Sequence, residues 1–94
     1  MQQLTNDWNK MVTGRLYNPS DKNVAKQHKK GMCRCDHFNK ISLQRTKAKQ
    51  RAMERLIPSA KGKNLDIFSP FYCEYGVNIH VGKDCFVNYH CTFL

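Results

Sequence analysis

The apolar positions of this chain change period near residue 70. Tyr75, Val81, Val87 and Phe93 form one six-spaced apolar row, and Cys73, Ile79, Cys85 and Cys91 form a second. Gly76 and Gly82 each follow a member of the first row. A fixed short period with a large apolar residue, a turn-permitting residue behind it and a compact apolar residue four places on predicts a hexapeptide β-helix. Short alternating strands produce similar rows, so an accidental register stays open beside it. Three hexads close one triangular coil, and residues 69–94 then supply about one and a half coils where such solenoids rest on several stacked repeats. The expectation is a chain that stops partway through its architecture.

Upstream of residue 60 the period is helical. Leu4, Trp8, Met11 and Val12 share one face of a short helix that Gly14 terminates. Ser20 or Asp21 caps a second helix running toward Phe38, with Val24, Met32 and Phe38 inward and Asn39 closing it. Gly31 fits poorly there, because glycine in a helix interior costs ~1 kcal/mol against alanine. A third helix starts near Ser42 and turns Leu43, Ala52, Met53, Leu56 and Ile57 inward until Pro58 breaks it. After a turn-rich linker over 59–64, Leu65, Ile67 and Phe68 begin extended structure that Ser69-Pro70 bends. The predicted class is α plus β: a helical cap over residues 1–58, then the first coils of a β-helix over 65–94. A cap is physically reasonable, since the first coil of a solenoid has an open apolar end to cover.

Charge adds a question. The 94 residues carry a net charge of +9, which permits a polyanionic partner. Its source is local: Lys22, Lys26, Lys29, Lys30 and Arg34 on the second helix, and Arg45, Lys47, Lys49, Arg51 and Arg55 on the third. A solvated face opposite a buried stripe explains such runs, and the aromatic residues gather in the hexads rather than between the basic positions. A basic nucleic-acid-binding module is therefore the alternative, not the expectation.

Five cysteines are an odd number and do not suggest a disulfide framework. Cys73, Cys85 and Cys91 take hexad positions that want a small buried side chain, a place where free cysteine packs well. His28, Cys33, Cys35 and His37 are close enough in sequence to offer zinc ligands. Against that small metal-binding module stand the single-residue gap between the cysteines and a helix that points them to different sides. With no long apolar run and no leader pattern, the reading expects no membrane association and a cytoplasmic location.

Thr13-Gly14 with Leu16-Tyr17, the stretch Pro70-Phe71-Tyr72-Cys73-Glu74-Tyr75-Gly76, the run Asn78-Ile79-His80-Val81-Gly82 and the pair Val87-Asn88 resemble the maltose and galactoside O-acetyltransferases, to which the nodulation acetyltransferases are close relatives. The resemblance covers essentially the whole chain and is most specific from Pro70 to Gly82. It implies a left-handed parallel β-helix, a homotrimer, acetyl-CoA as cosubstrate and a sugar acceptor such as maltose, glucose or a galactoside. It also implies a histidine that takes the proton from the attacking sugar hydroxyl.

Residue by residue, Glu74 matches a polar acceptor contact, and a carboxylate can accept from two sugar hydroxyls. Asn88 matches an asparagine facing the acceptor, although asparagine also suits a β-helix corner. Asp21 falls where relatives add a cap-derived acceptor contact, although helix capping fits it better. The family's general-base histidine and CoA-binding coils are expected beyond Leu94. Neither His80 nor His90 replaces that base, so no catalytic residue and no metal ligand is assigned, and the 94 residues alone are expected to be inactive.

Overall fold

The computed structural model describes residues 6–94. Three helices come first: α1 (Asn6–Val12), α2 (Lys22–Lys40) and α3 (Thr46–Leu56). A 3₁₀ turn (Pro58–Ala60) leads to the strands β1 (Asp66–Ile67), β2 (Phe71–Cys73), β3 (Phe86–Val87) and β4 (Cys91–Phe93), with a second 3₁₀ turn (Gly76–Asn78) between β2 and β3.

On α1, Trp8 is buried and Met11 half-buried, while Val12 faces solvent; Leu4 lies outside the described residues. Gly14 ends the helix at φ 78, with its N–H bonded to the Met11 carbonyl, a left-handed turn that glycine takes without steric cost.

The start of α2 is chemically explicit. Asp21 Oδ2 accepts from the backbone N–H groups of Asn23 at 3.0 Å and Val24 at 3.2 Å, satisfying two of the donors that a helix start leaves unpaired. Its buried residues are Val24, Gly31, Cys35 and Phe38. Met32, expected inward, is 51% exposed. Glycine takes the inward place because α2 crosses the β2 end closely there: a methyl on Gly31 would land on the Glu74 carbonyl oxygen, well inside 3.0 Å. Asn39 does not close the helix, which runs one residue further. Instead its amide clips α2 to β2, Nδ2 donating to the Phe71 carbonyl and Oδ1 accepting from the Phe71 N–H, both at 2.9 Å.

Helix α3 starts later than Ser42. That residue holds a preceding turn, accepting from Gln44 N–H at its hydroxyl and from Arg45 N–H at its carbonyl, and Leu43 is left 63% exposed. Ala52, Met53 and Leu56 are buried as expected, and Ile57 is buried just past the helix end, ahead of Pro58. Lys49 departs from the charged face. Its ammonium donates to the carbonyls of Phe38 (2.8 Å) and Ile41 (3.0 Å) and to Ser69 Oγ, and lies 4.2 Å from the Phe38 ring centroid. The last carbonyls of α2 draw it inward, a favourable place for a cation, and burial pushes its pKa down.

The strands pair in parallel, β1 with β3 and β2 with β4. Asp66 opposes Phe86 and Phe71 opposes Cys91, an offset of 20 residues in both ladders. Three hexads would give 18. The inward pairs Leu65/Ile67, Phe71/Cys73, Ile79/Val81 and Cys85/Val87 show where the difference lies: the steps are six, eight and six. The two additional residues fall between Cys73 and Ile79, in the corner that holds Glu74, Tyr75 and the Gly76–Asn78 turn. Other corners follow the same 20-residue stacking, since Asn64 Nδ2 donates to Asp84 Oδ1 at 2.9 Å and both residues have positive φ.

Helices and strands share one core. Cys35 and Phe38 from α2, Ala52, Met53 and Leu56 from α3, and Ile67, Phe71 and Cys73 from the strands form a single buried cluster, with Ile79, Val81, Cys85 and Val87 packed against it. Among the described residues, no helix is long and apolar enough to cross a membrane.

Candidate functional site at the lengthened corner

The corner after β2 faces the cap. Tyr75 turns away from the coil interior and meets Trp8 of α1 edge-on, with ring centroids 5.4 Å apart, and His28 of α2 at 5.7 Å. Edge-to-face geometry of this kind is favourable beyond the area it buries. Burial raises the Tyr75 pKa, and the neighbouring Tyr17 phenol and Glu74 carboxylate add to the shift. The corner is further anchored from below: a methyl on Gly76 would collide with the Leu56 carbonyl oxygen. Only glycine allows that approach.

A recess of ≈ 260 Å³ opens at this place, lined by Met11 and Tyr17 from the cap, by Glu74, Tyr75 and Asn78 from the corner, and by Phe93 from β4. It combines one carboxylate, two phenols, one amide and an apolar floor. That mixture suits a small polyhydroxylated ligand, whose hydroxyls pair with the polar groups while its carbon faces lie on the apolar ones. Glu74 is half-buried and makes no side-chain hydrogen bond or ion pair among the described residues.

The three residues singled out in the sequence are not brought together equally. Glu74 lines the recess. Asn88 sits exposed just after β3, its Oδ1 accepting from the Tyr89 N–H at 2.8 Å, and it is not among the recess residues. Asp21 is engaged in capping α2. Of the recess residues, the sequence reading names only Glu74 as a site residue and misses Met11, Tyr17, Tyr75, Asn78 and Phe93. The signal that marks Asn78 is the two-residue lengthening of the corner, hidden because the six-spaced rows run unbroken through it.

The remaining histidines and cysteines are dispersed. His80 and His90 are exposed, and His90 occupies a corner at φ 59 with its N–H bonded to the Pro70 carbonyl. Cys33 faces solvent, whereas Cys35, two residues on, is buried against β2. His28 packs on Tyr75 and His37 is exposed, so these four do not converge. No metal-holding group of three or more such side chains occurs among the described residues.

Cys35 and Cys73 do converge. Their sulfurs are 3.7 Å apart, the Cys73 N–H donates to Cys35 Sγ at 3.3 Å, and Cys35 Sγ is 3.6 Å from the Cys73 carbonyl oxygen. The hydrogen bond from the Cys73 thiol draws the Cys35 pKa down to about 7, helped by the Cys73 N–H and opposed by burial. Cys73 moves the other way, because its proton is held by the Cys35 sulfur and it is buried.

A helical cap clipped onto the first 20-residue coil of a parallel-stranded solenoid, with a hydroxyl-matching recess where the two meet, defines a capped hexapeptide-type protein. Comparison with known proteins agrees. Residues 10–62, more than half of the chain, match the maltose acetyltransferase hexapeptide capping motif. The fold is that of a maltose O-acetyltransferase from Clostridium difficile 630, with a TM-score of 0.88 and 27% identity over 98% of this chain and 49% of that one. In sequence it is 30% identical over 86 residues to nodulation protein L of Rhizobium leguminosarum bv. viciae, covering 90% of this chain and 44% of that protein. It is also 25% identical over 88 residues to the galactoside O-acetyltransferase of Lactococcus lactis subsp. lactis, covering 93% and 42%. The chain belongs to the maltose/galactoside acetyltransferase family of hexapeptide proteins and corresponds to its N-terminal portion. It spans less than half the length of the relatives it matches.

Proposed function

We propose that this chain is the cap and first coil of an acetyl-CoA-dependent sugar O-acetyltransferase, and that the corner recess is part of its acceptor site. The observation that carries the reading is the recess itself: the cap and the coil each contribute polar and apolar groups to one small cavity around the Glu74 carboxylate. In this reading Glu74 accepts hydrogen bonds from acceptor hydroxyls and orients the one that reacts. Tyr17 and Tyr75 give the sugar a face to lie on. Asn88 lies at another corner of the coil, outside this recess, and would bring its amide N–H₂ to an acceptor from there; Asp21 acts at one remove by fixing the start of α2.

The chemistry expected of the whole assembly is attack of the sugar oxygen on the thioester carbonyl. A C–O bond forms, the C–S bond breaks, CoA leaves as its thiol, and a histidine base takes the hydroxyl proton. Positioning and general-base catalysis are each large terms in such a reaction. The coil would extend as a left-handed β-helix in a cytoplasmic homotrimer, with the donor site and the base in the half of the relatives that these 94 residues do not match. The 94 residues alone are therefore inactive.

Two measurements test this. Maltose, glucose or a galactoside titrated into the chain should give saturable NMR shifts centred on Glu74, Tyr75 and Asn78 that Glu74→Gln weakens. Shifts spread evenly over the surface, or none, would sink the acceptor assignment. With acetyl-CoA added, mass spectrometry should detect no acetylated sugar, and turnover that vanishes on Glu74→Ala would overturn the expected inactivity.

A further inference from the structure

Cys35 and Cys73 are more than two small residues filling a core. Each is among the most buried side chains, 2% and 6% exposed. They lie 38 residues apart in sequence, on two different elements, α2 and β2, and their sulfurs touch. Among the described residues, Cys33, Cys85 and Cys91 have no such partner: their sulfurs bond at most to nearby backbone carbonyls. From 3.7 Å, bond formation needs the sulfurs to close by about 1.7 Å to a disulfide length.

We propose that Cys35 and Cys73 form a redox-modification site, a dithiol that a peroxide converts to a disulfide bolting helix α2 to strand β2 directly behind Glu74. Cys35 is the attacking sulfur, because the Cys73 N–H points at it and favours its thiolate, which also fits its lowered pKa; being 2% exposed, it meets the peroxide when α2 opens locally from β2. The thiolate attacks a peroxide oxygen, the O–O bond breaks, and hydroxide leaves, giving a sulfenic acid on Cys35. The Cys73 sulfur then attacks the Cys35 sulfur. The S–S bond forms, the S–O bond breaks, and the departing hydroxide takes the Cys73 proton as water. Two thiols and one peroxide thus yield one disulfide and two waters. Because Gly31 backs onto the Glu74 carbonyl, the bolt fixes the cap against the corner that forms the recess.

Hydrogen peroxide added to the reduced chain, followed by alkylation, digestion and mass spectrometry, tests this without any sugar and so independently of the acceptor reading. The expected product is a chain lighter by two hydrogens, with the Cys35 and Cys73 peptides joined. Its thermal transition should rise by roughly 20 °C, as for a closed loop of this length, and dithiothreitol should reverse both changes. Cys33→Ser should keep the linkage. The proposal is overturned if Cys35 and Cys73 remain open to alkylation after unfolding while Cys33 oxidises, or if the cross-link joins any other pair.

Discussion

Gly31→Ala sets two effects of opposite sign against each other. In an isolated helix the change is favourable by about 1 kcal/mol, since alanine loses less backbone freedom and is the better helix former. In this fold the added methyl lands on the Glu74 carbonyl oxygen and within 3.3 Å of its carbonyl carbon. Both are backbone atoms that no rotamer can move. Helix α2 must then retreat from the β2 end by roughly 1 Å, and overpacking of this kind costs about 1–3 kcal/mol. The same retreat stretches the two Asn39–Phe71 hydrogen bonds, now 2.9 Å each, worth about 1 kcal/mol apiece. Subtracting the helix gain leaves a net loss on the order of 2–4 kcal/mol, or roughly 10–20 °C for a chain of this size. Urea denaturation followed by circular dichroism measures it, with Gly82→Ala as the comparison: nothing lies within 4 Å of a methyl there, and its effect should stay within about 0.5 kcal/mol. Were Gly31→Ala to match or exceed the parent in stability, helix propensity would have won and α2 could not pack as closely on the corner as described.

Asn39→Ala removes both bonds to the Phe71 backbone and leaves a strand N–H and carbonyl unpaired, so it should cost about 2–4 kcal/mol by urea denaturation; a change under 0.5 kcal/mol would mean that water replaces the amide freely. Asp21→Ala should lose about 1 kcal/mol and Asp21→Asn less, because asparagine caps nearly as well; equal losses would point to a charge effect instead of the cap. In the reduced protein, the folded Cys35 thiol titrates near 7 and its unfolded counterpart near 9.0. Between those values the unfolded chain holds the proton that the folded chain has released, so stability attributable to Cys35 should rise with pH. Above 9.0 the trend reverses, as the folded chain keeps the Cys73 proton that the unfolded chain loses. Denaturation of the parent and Cys35→Ser across pH 6.5–10 checks this, and a flat difference would refute the acidified Cys35.

Features set by local chemistry were legible in the sequence. Asp21 could be read as a cap because its own helix start supplies two donors to it, and the break at Pro58 needs nothing beyond the missing N–H. Misreadings occurred where a distant segment decides. Met32 is expected inward beside Val24 and Phe38, yet the close crossing with β2 gives the inward stripe to Gly31 and Cys35. Lys49 was counted with the charged face, yet the carbonyls of Phe38 and Ile41 draw its ammonium under the end of α2. Of the recess, Glu74 was found through a motif, whereas Met11 and Asn78 depend on how the cap folds over the coil.

The lengthened corner explains why cap and coil belong together. An 18-residue coil would have stacked Phe93 on Tyr75 in one continuous apolar row; the observed register stacks Phe93 on Cys73 instead. The phenol is thereby released from the coil interior, and an exposed aromatic corner would remain if nothing covered it. Trp8 and His28 cover it, and Gly31 lets α2 come close enough to do so. Glu74 lies between two residues fixed in this way, Cys73 in the core and Tyr75 under the cap. Its carboxylate is therefore positioned by tertiary contacts on both sides, not by the strand that ends before it. A loosened cap should then blur the recess before the β1–β3 ladder, which pairs away from the corner although Ile67 and Val87 share the core with α2 and α3.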